Sequence, residues 1–125
     1  MSTENVRNDA AEKVAVVTGS SKGIGKAIAV EFAKDGYNVV LNARDEKELS
    51  EAVMDVKKTT GGNDKRITYL AGDISQEDIC LSLIEHTIKM FGRIDVLVNN
   101  AGIGVPRKVY TNLHLTSGIT SLTST

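Results

Sequence analysis

Thr18-Gly19-Ser20-Ser21-Lys22-Gly23-Ile24-Gly25 is the stretch that decides the fold. The apolar run Val14 to Val17 precedes it and the amphipathic run Ile24 to Lys34 follows it, so the order reads strand, glycine turn, helix. A helix N-terminus presents unpaired N–H groups and a partial positive charge. Gly19, Gly23 and Gly25 would let a pyrophosphate approach those groups, with Ser20, Ser21, Lys22 and Ile24 as the walls of the turn. The spacing is G-x-x-x-G-x-G rather than G-x-G-x-x-G. Nor is it the triphosphate loop G-x-x-x-x-G-K-[ST], because five residues separate Gly19 from Gly25 and Ala27 follows Lys26. Glycines also serve any tight strand-to-helix turn, so the stretch needs support from elsewhere in the chain.

Outward from the turn, helices and strands alternate. Ile24, Ile28 and Phe32, with Ala29 and Ala33 beside them, form one helical face, and Gly36 ends it. Val39 to Leu41 reads as a second buried strand. Asp45 to Thr60 reads as a second helix with Leu49, Val53 and Val56 inward, acids in its first turn and Lys57 and Lys58 in its last. Ile67 to Leu70 is a third strand. Ser75 starts a third helix, paired with Asp78 in a capping box, with Leu81, Ile84, Ile88 and Phe91 as its apolar face and Gly92 as its stop. Ile94 to Val98 is the fourth strand. This alternation implies right-handed crossovers and a parallel sheet, whose ligands bind beyond the carboxyl ends of the strands. The glycine turn, Asn42 to Arg44, Gly72-Asp73 and Asn99 to Gly102 all lie at those ends.

The motif Thr18-Gly-x-x-x-Gly-Ile-Gly25 resembles the cofactor motif of the classical short-chain dehydrogenase/reductase family. Asn99-Asn100-Ala101-Gly102, after the fourth strand, resembles that family's second motif. The resemblance covers about residues 13 to 103, and within the family it is similar to 3-oxoacyl-carrier-protein reductases and glucose-dehydrogenase-like members. It implies an α/β, Rossmann-like three-layer fold whose parallel sheet is cut short after the fourth strand. It also implies a dinucleotide-binding oxidoreductase acting on a carbonyl or secondary alcohol, with homo-oligomeric full-length relatives.

Cofactor choice turns on the end of the second strand. An acid there would accept a ribose 2′-hydroxyl; Ala43 stands in that slot and Arg44 follows it. A guanidinium suits a 2′-phosphate, and the resemblance reads Lys22 and Arg44 as marks of an NADP-preferring member rather than an NAD-preferring one. Both could equally be solvated cations. Asp73, with Ile74 beside it, resembles the family's adenine-contacting acid, though Gly72-Asp73 also suits a plain turn. Asn99 and Asn100 can tie adjacent strand ends together, and Ala101 and Gly102 leave room for a ribose and nicotinamide.

Composition bounds the rest. The 125 residues allow one small domain, and a net charge of −1 gives no pull toward nucleic acid or an anionic membrane. No run of about 18 apolar residues suggests a membrane span. Residues 1–12 are polar, without the apolar core of a secretory signal, and read as a disordered lead. The single Cys80 fits a reducing cytoplasm. Cys80, His86 and His114, far apart in sequence, suggest no metal site.

Beyond the half-domain at 13–102, the character changes. Residues 103–125 contain no Asp or Glu, and eight of the 23 are Ser or Thr, with only weak alternation at Leu113 and Leu115. They read as an atypical tail of uncertain structure, and the abrupt change suggests a reading frame interrupted near 103–110. The resemblance implies a catalytic Ser and a Tyr four residues before a Lys, and this sequence has no Tyr-x-x-x-Lys. The expectations that remain are an oxidoreductase by lineage, inactive as this chain; a non-catalytic dinucleotide-binding module; or a piece without independent function.

Overall fold

Val14-Ala15-Val16-Val17 is apolar at every position, and all four side chains are buried in the computed structural model, which describes residues 13–62, 64–101, 108–116 and 119–124. A strand buried on both faces belongs at the centre of a parallel sheet, and β1 (Val14–Thr18) lies between β2 (Asn38–Ala43) and β4 (Val96–Asn99). β3 (Ile67–Ala71) pairs with the far side of β2, also parallel. The connections are α1 (Gly23–Lys34), α2 (Glu46–Lys58) and α3 (Glu77–Phe91). The fold is thus α/β and Rossmann-like, as expected.

Alternate strand residues serve opposite faces. Ala15, Val17, Val39 and Leu41 pack beneath α1 and α2, against Ala29, Ala33, Leu49, Val53 and Val56. Val16 and Val40 pack against Leu83 and Ile94 on the face that α3 covers.

Three local expectations are corrected. The buried stripe of α1 is Gly25, Ala29 and Ala33, while Ile28 and Phe32 pack at its flank and Ile24 is 61% exposed. Small residues lie inward because the turn brings this helix close to the sheet. The inward residues of α3 are Leu83 and Thr87; Ile84, Ile88 and Phe91 pack beside them, but Leu81 is exposed. The capping box at Ser75 does not form. The Ser75 hydroxyl donates to Asp73 Oδ1 at 2.7 Å, and α3 starts after Gln76 with no side-chain cap. A charged acceptor two residues away outcompetes the helix terminus for that hydroxyl.

The parallel part of the sheet ends at β4, and the sheet then continues. β5 (Lys108–Thr116) pairs antiparallel with β4, and β6 (Ile119–Ser124) pairs antiparallel with β5, giving the order β3-β2-β1-β4-β5-β6. The region read as a tail of uncertain structure therefore contains two antiparallel strands. Main-chain hydrogen bonding to an open edge needs no long apolar period, so composition alone did not reveal it. The proposed lead at 1–12 and Gly102 lie outside the described residues. Among the described residues, no helix is long and apolar enough to cross a membrane.

Candidate functional site

The segments that follow β1 to β4 frame one cleft of about 590 Å³. Gly19, Ser21 and Lys22 come from the first turn, and Asn42, Ala43 and Arg44 from the end of β2. Asp45 and Glu48 open α2, Gly72 to Ser75 follow β3, and Asn100 and Ala101 follow β4. Four pieces of chain that the sequence placed at strand ends are therefore brought together.

Close approaches shape the turn. Gly19 has φ +61°, and a Cβ there would stand 2.9 Å from the Ala101 Cα. A side chain at Gly25 would collide with the Gly19 carbonyl and the Asn100 amide. Gly23, at φ +62°, has no atom within 4 Å of where a Cβ would be. The helix that begins there has no side-chain cap and no acid in its first turn. By contrast, α2 is capped by Asp45 and carries Glu46 and Glu48, and α3 carries Glu77 and Asp78. Of the three described helices, α1 alone has neither a side-chain cap nor an acid of its own in the first turn to offset the positive end of its dipole. Open space over Gly23 and an uncapped terminus fit a diphosphate group.

Thr18 joins the two motifs. Its Oγ1 accepts the N–H groups of Asn100 at 3.0 Å and Ala101 at 3.2 Å, and lies 3.2 Å from Asn99 Oδ1. Asn100 Nδ2 donates to the Gly19 carbonyl at 3.1 Å. The tie expected of the two asparagines is made, with a threonine hydroxyl at its centre. Asn99 is exposed and Asn100 half-buried.

Ser20 turns inward. It is fully buried, its hydroxyl donates to the Val17 carbonyl at 2.8 Å, and it accepts the Asn42 N–H at 3.0 Å. Its side chain thus locks β1 to β2 and does not wall the cleft. Asn42, also buried, donates through Nδ2 to the carbonyls of Leu70 at 3.0 Å and Gly72 at 3.2 Å. Sequence reading missed this brace; the signal was a polar residue directly after the apolar run Val39 to Leu41. Ile74 is half-buried against the α3-side core and lines the cleft.

The electrostatics are mixed. Lys22 and Arg44 are exposed on the cleft wall. Hydrogen bonds from the Ser75 hydroxyl and N–H hold the Asp73 carboxyl below its usual range, with a smaller contribution from the Arg44 charge. Glu48 accepts the Ser21 hydroxyl at 2.9 Å and lies 3.9 Å from Lys22 Nζ. Among the described residues, no cluster of three or more His, Cys, Asp or Glu could hold a metal ion.

The sequence matches the short chain dehydrogenase family over residues 13–120. An uncharacterized oxidoreductase of Methylorubrum extorquens is 50% identical over 91 residues, which are 73% of this chain and 36% of that protein. The 3-oxoacyl-[acyl-carrier-protein] reductase FabG of Staphylococcus aureus is 42% identical over 91 residues, with the same two shares. The crystal structure of L-sorbose reductase from Gluconobacter frateurii, complexed with NADPH and L-sorbose, superposes with a TM-score of 0.67 at 44% identity. That match covers 73% of this chain and 34% of the reductase. This chain spans about a third of the length of the curated relatives it matches. With strand-end geometry and sequence agreeing across most of its length, the chain belongs to the short chain dehydrogenase family of oxidoreductases.

Proposed function

We propose that this chain binds NADP(H) and is the cofactor-binding part of an oxidoreductase that interconverts a carbonyl and a secondary alcohol. The observation that carries this reading is the uncapped N-terminus of α1, beside open Gly23, at the mouth of a cleft that also gathers Lys22 and Arg44. The first-turn N–H groups of α1 would take the pyrophosphate. Lys22 and Arg44 would take the 2′-phosphate, since Ala43 offers no acid to a 2′-hydroxyl. Asp73 and Ile74 would border the adenine, and Asn100 and Ala101 the path toward the nicotinamide. The NADPH complex of L-sorbose reductase supports the same preference. A bound nicotinamide supplies or accepts the hydride in such chemistry.

Reduction also requires a proton donor to the developing alkoxide. These 125 residues contain no Tyr-x-x-x-Lys. The chain on its own is therefore proposed to bind cofactor without turning it over, which equally favours its use as a non-catalytic binding module. The test is a titration of the purified chain into NADPH, with NADH in parallel, following the fluorescence of the reduced nicotinamide. The chain has no Trp to confuse that signal. Saturable binding that favours NADPH is expected; binding of neither, or a preference for NADH, would sink the proposal. Oxidation of NADPH by a panel of ketones would overturn the non-catalytic part alone.

A further inference from the structure

Glu48 stands on one of the two cations proposed for the 2′-phosphate, Lys22, and on the Ser21 hydroxyl next to it. Its Oε1 accepts the Ser21 hydroxyl at 2.9 Å and stands 3.9 Å from Lys22 Nζ. The cleft wall carries two cations, Lys22 and Arg44, and three acids, Asp45, Glu48 and Asp73. Two of those acids are committed to their own turns. Asp45 accepts the Glu48 N–H at 2.9 Å as the cap of α2, and Asp73 accepts both the N–H and the hydroxyl of Ser75. Glu48 is the acid turned onto the basic side of the turn, held in place by the first turn of α2.

Resting on the NADP(H) reading above, we propose that Glu48 is a specificity-determining residue. It acts as a resident anion on Ser21 and Lys22 that a 2′-phosphate must displace, and so limits the preference for NADP(H) over NAD(H). The Lys22–Glu48 side chains are 83% and 45% exposed, so the pair is weak enough to give way. Displacement still leaves a carboxylate within one Debye length of the incoming dianion, and the two repel. NAD(H) presents a hydroxyl in that place and meets no such repulsion.

The test is Glu48→Gln, with Glu48→Ala as a second variant, in the full chain, each checked for its fold by circular dichroism. Dissociation constants are measured for NADPH and NADH by fluorescence, and for adenosine 2′,5′-bisphosphate and 5′-AMP by calorimetry. NADPH and the bisphosphate are expected to bind about threefold to tenfold more tightly to the variants, with no gain for NADH or AMP. The gain should shrink at high salt and fall away when Lys22→Ala is combined with Glu48→Gln. If the unsubstituted chain binds NADPH and neither variant shifts its affinity, or if both cofactors gain equally, the role of Glu48 is overturned while the cofactor site stands. If the unsubstituted chain binds neither cofactor, the site reading fails and this inference fails with it.

Discussion

The Thr18 hydroxyl closes contacts across 82 and 83 residues of sequence, holding the N–H groups of Asn100 and Ala101 against the end of β1. Valine matches threonine in shape and cannot accept either bond. Thr18→Val is expected to lower stability by about 1–3 kcal/mol in urea unfolding, because two partly buried donors lose their acceptor. A change within about 0.5 kcal/mol would mean that water replaces the hydroxyl. Arg44 poses a question of affinity rather than stability. Arg44→Ala should weaken NADPH binding about tenfold, the cost of one charge-assisted contact, and leave NADH binding almost unchanged. Equal losses for both would move Arg44 away from the 2′-phosphate. At this scale the sequence was informative about Gly19, Gly25 and Asn100, whose spacing is local to their motifs. It was silent about Ser20 turning inward and about the Asn42 brace, because those depend on which strand lies alongside.

At the scale of the element, α3 is joined to β3 by His86, whose Nε2 lies 3.2 Å from the Thr68 hydroxyl. Burial pushes the His86 imidazole below its ordinary value, and the charge of Lys89 adds to the effect. The folded chain therefore binds that proton less readily than the unfolded chain. Above the unfolded value of about 6.5 both forms are neutral and nothing is lost; as pH falls below it, the unfolded state protonates first and stability declines. Urea unfolding of the chain and of His86→Gln across this range should show a shallower decline in the variant. Identical slopes would remove His86 from the account. The carboxylate of Asp64 acts separately and at lower pH. The Arg66 side chain, 3.0 Å away through Nε, holds it down at about 2 from an ordinary 3.8. Its stabilisation is present above that ordinary value and is lost as pH falls toward 2. Helix existence was legible from periodicity, but the buried face of α1 was not. Ile24, Ile28 and Phe32 are the larger side chains, yet the residues buried beneath the helix are Gly25, Ala29 and Ala33, with Gly25 in close approach to the Gly19 carbonyl.

For the whole molecule, the cleft exists only when β1 to β4 are assembled, so the proposed cofactor binding would be linked to folding. NADPH at a hundred times its dissociation constant should raise unfolding stability by about 2.7 kcal/mol, seen as a shift of the urea midpoint. Saturable binding without that shift would place the cofactor on the unfolded chain as well. The two faces of the sheet are clothed unequally, by α1 and α2 on one side and α3 on the other among the described residues. Along the outer flank of α1 a hollow of about 400 Å³ is lined by Ile24, Ala27, Ile28, Glu31, Phe32 and Asp35, none of which lines the strand-end cleft.

The glycine turn, the alternation of buried strands with amphipathic helices, and the two motifs that belong at strand ends were all legible in the amino-acid order alone. These follow from steric and hydrophobic preferences acting over a few residues. The tertiary structure decided which side chains meet: Thr18 with Asn100, Asn42 with Gly72, and Glu48 with Ser21. It also decided that β5 and β6 extend the sheet antiparallel. Those outcomes rest on hydrogen bonds between strands and turns distant in sequence. Such bonds depend on the position of the partner backbone, which no local pattern encodes.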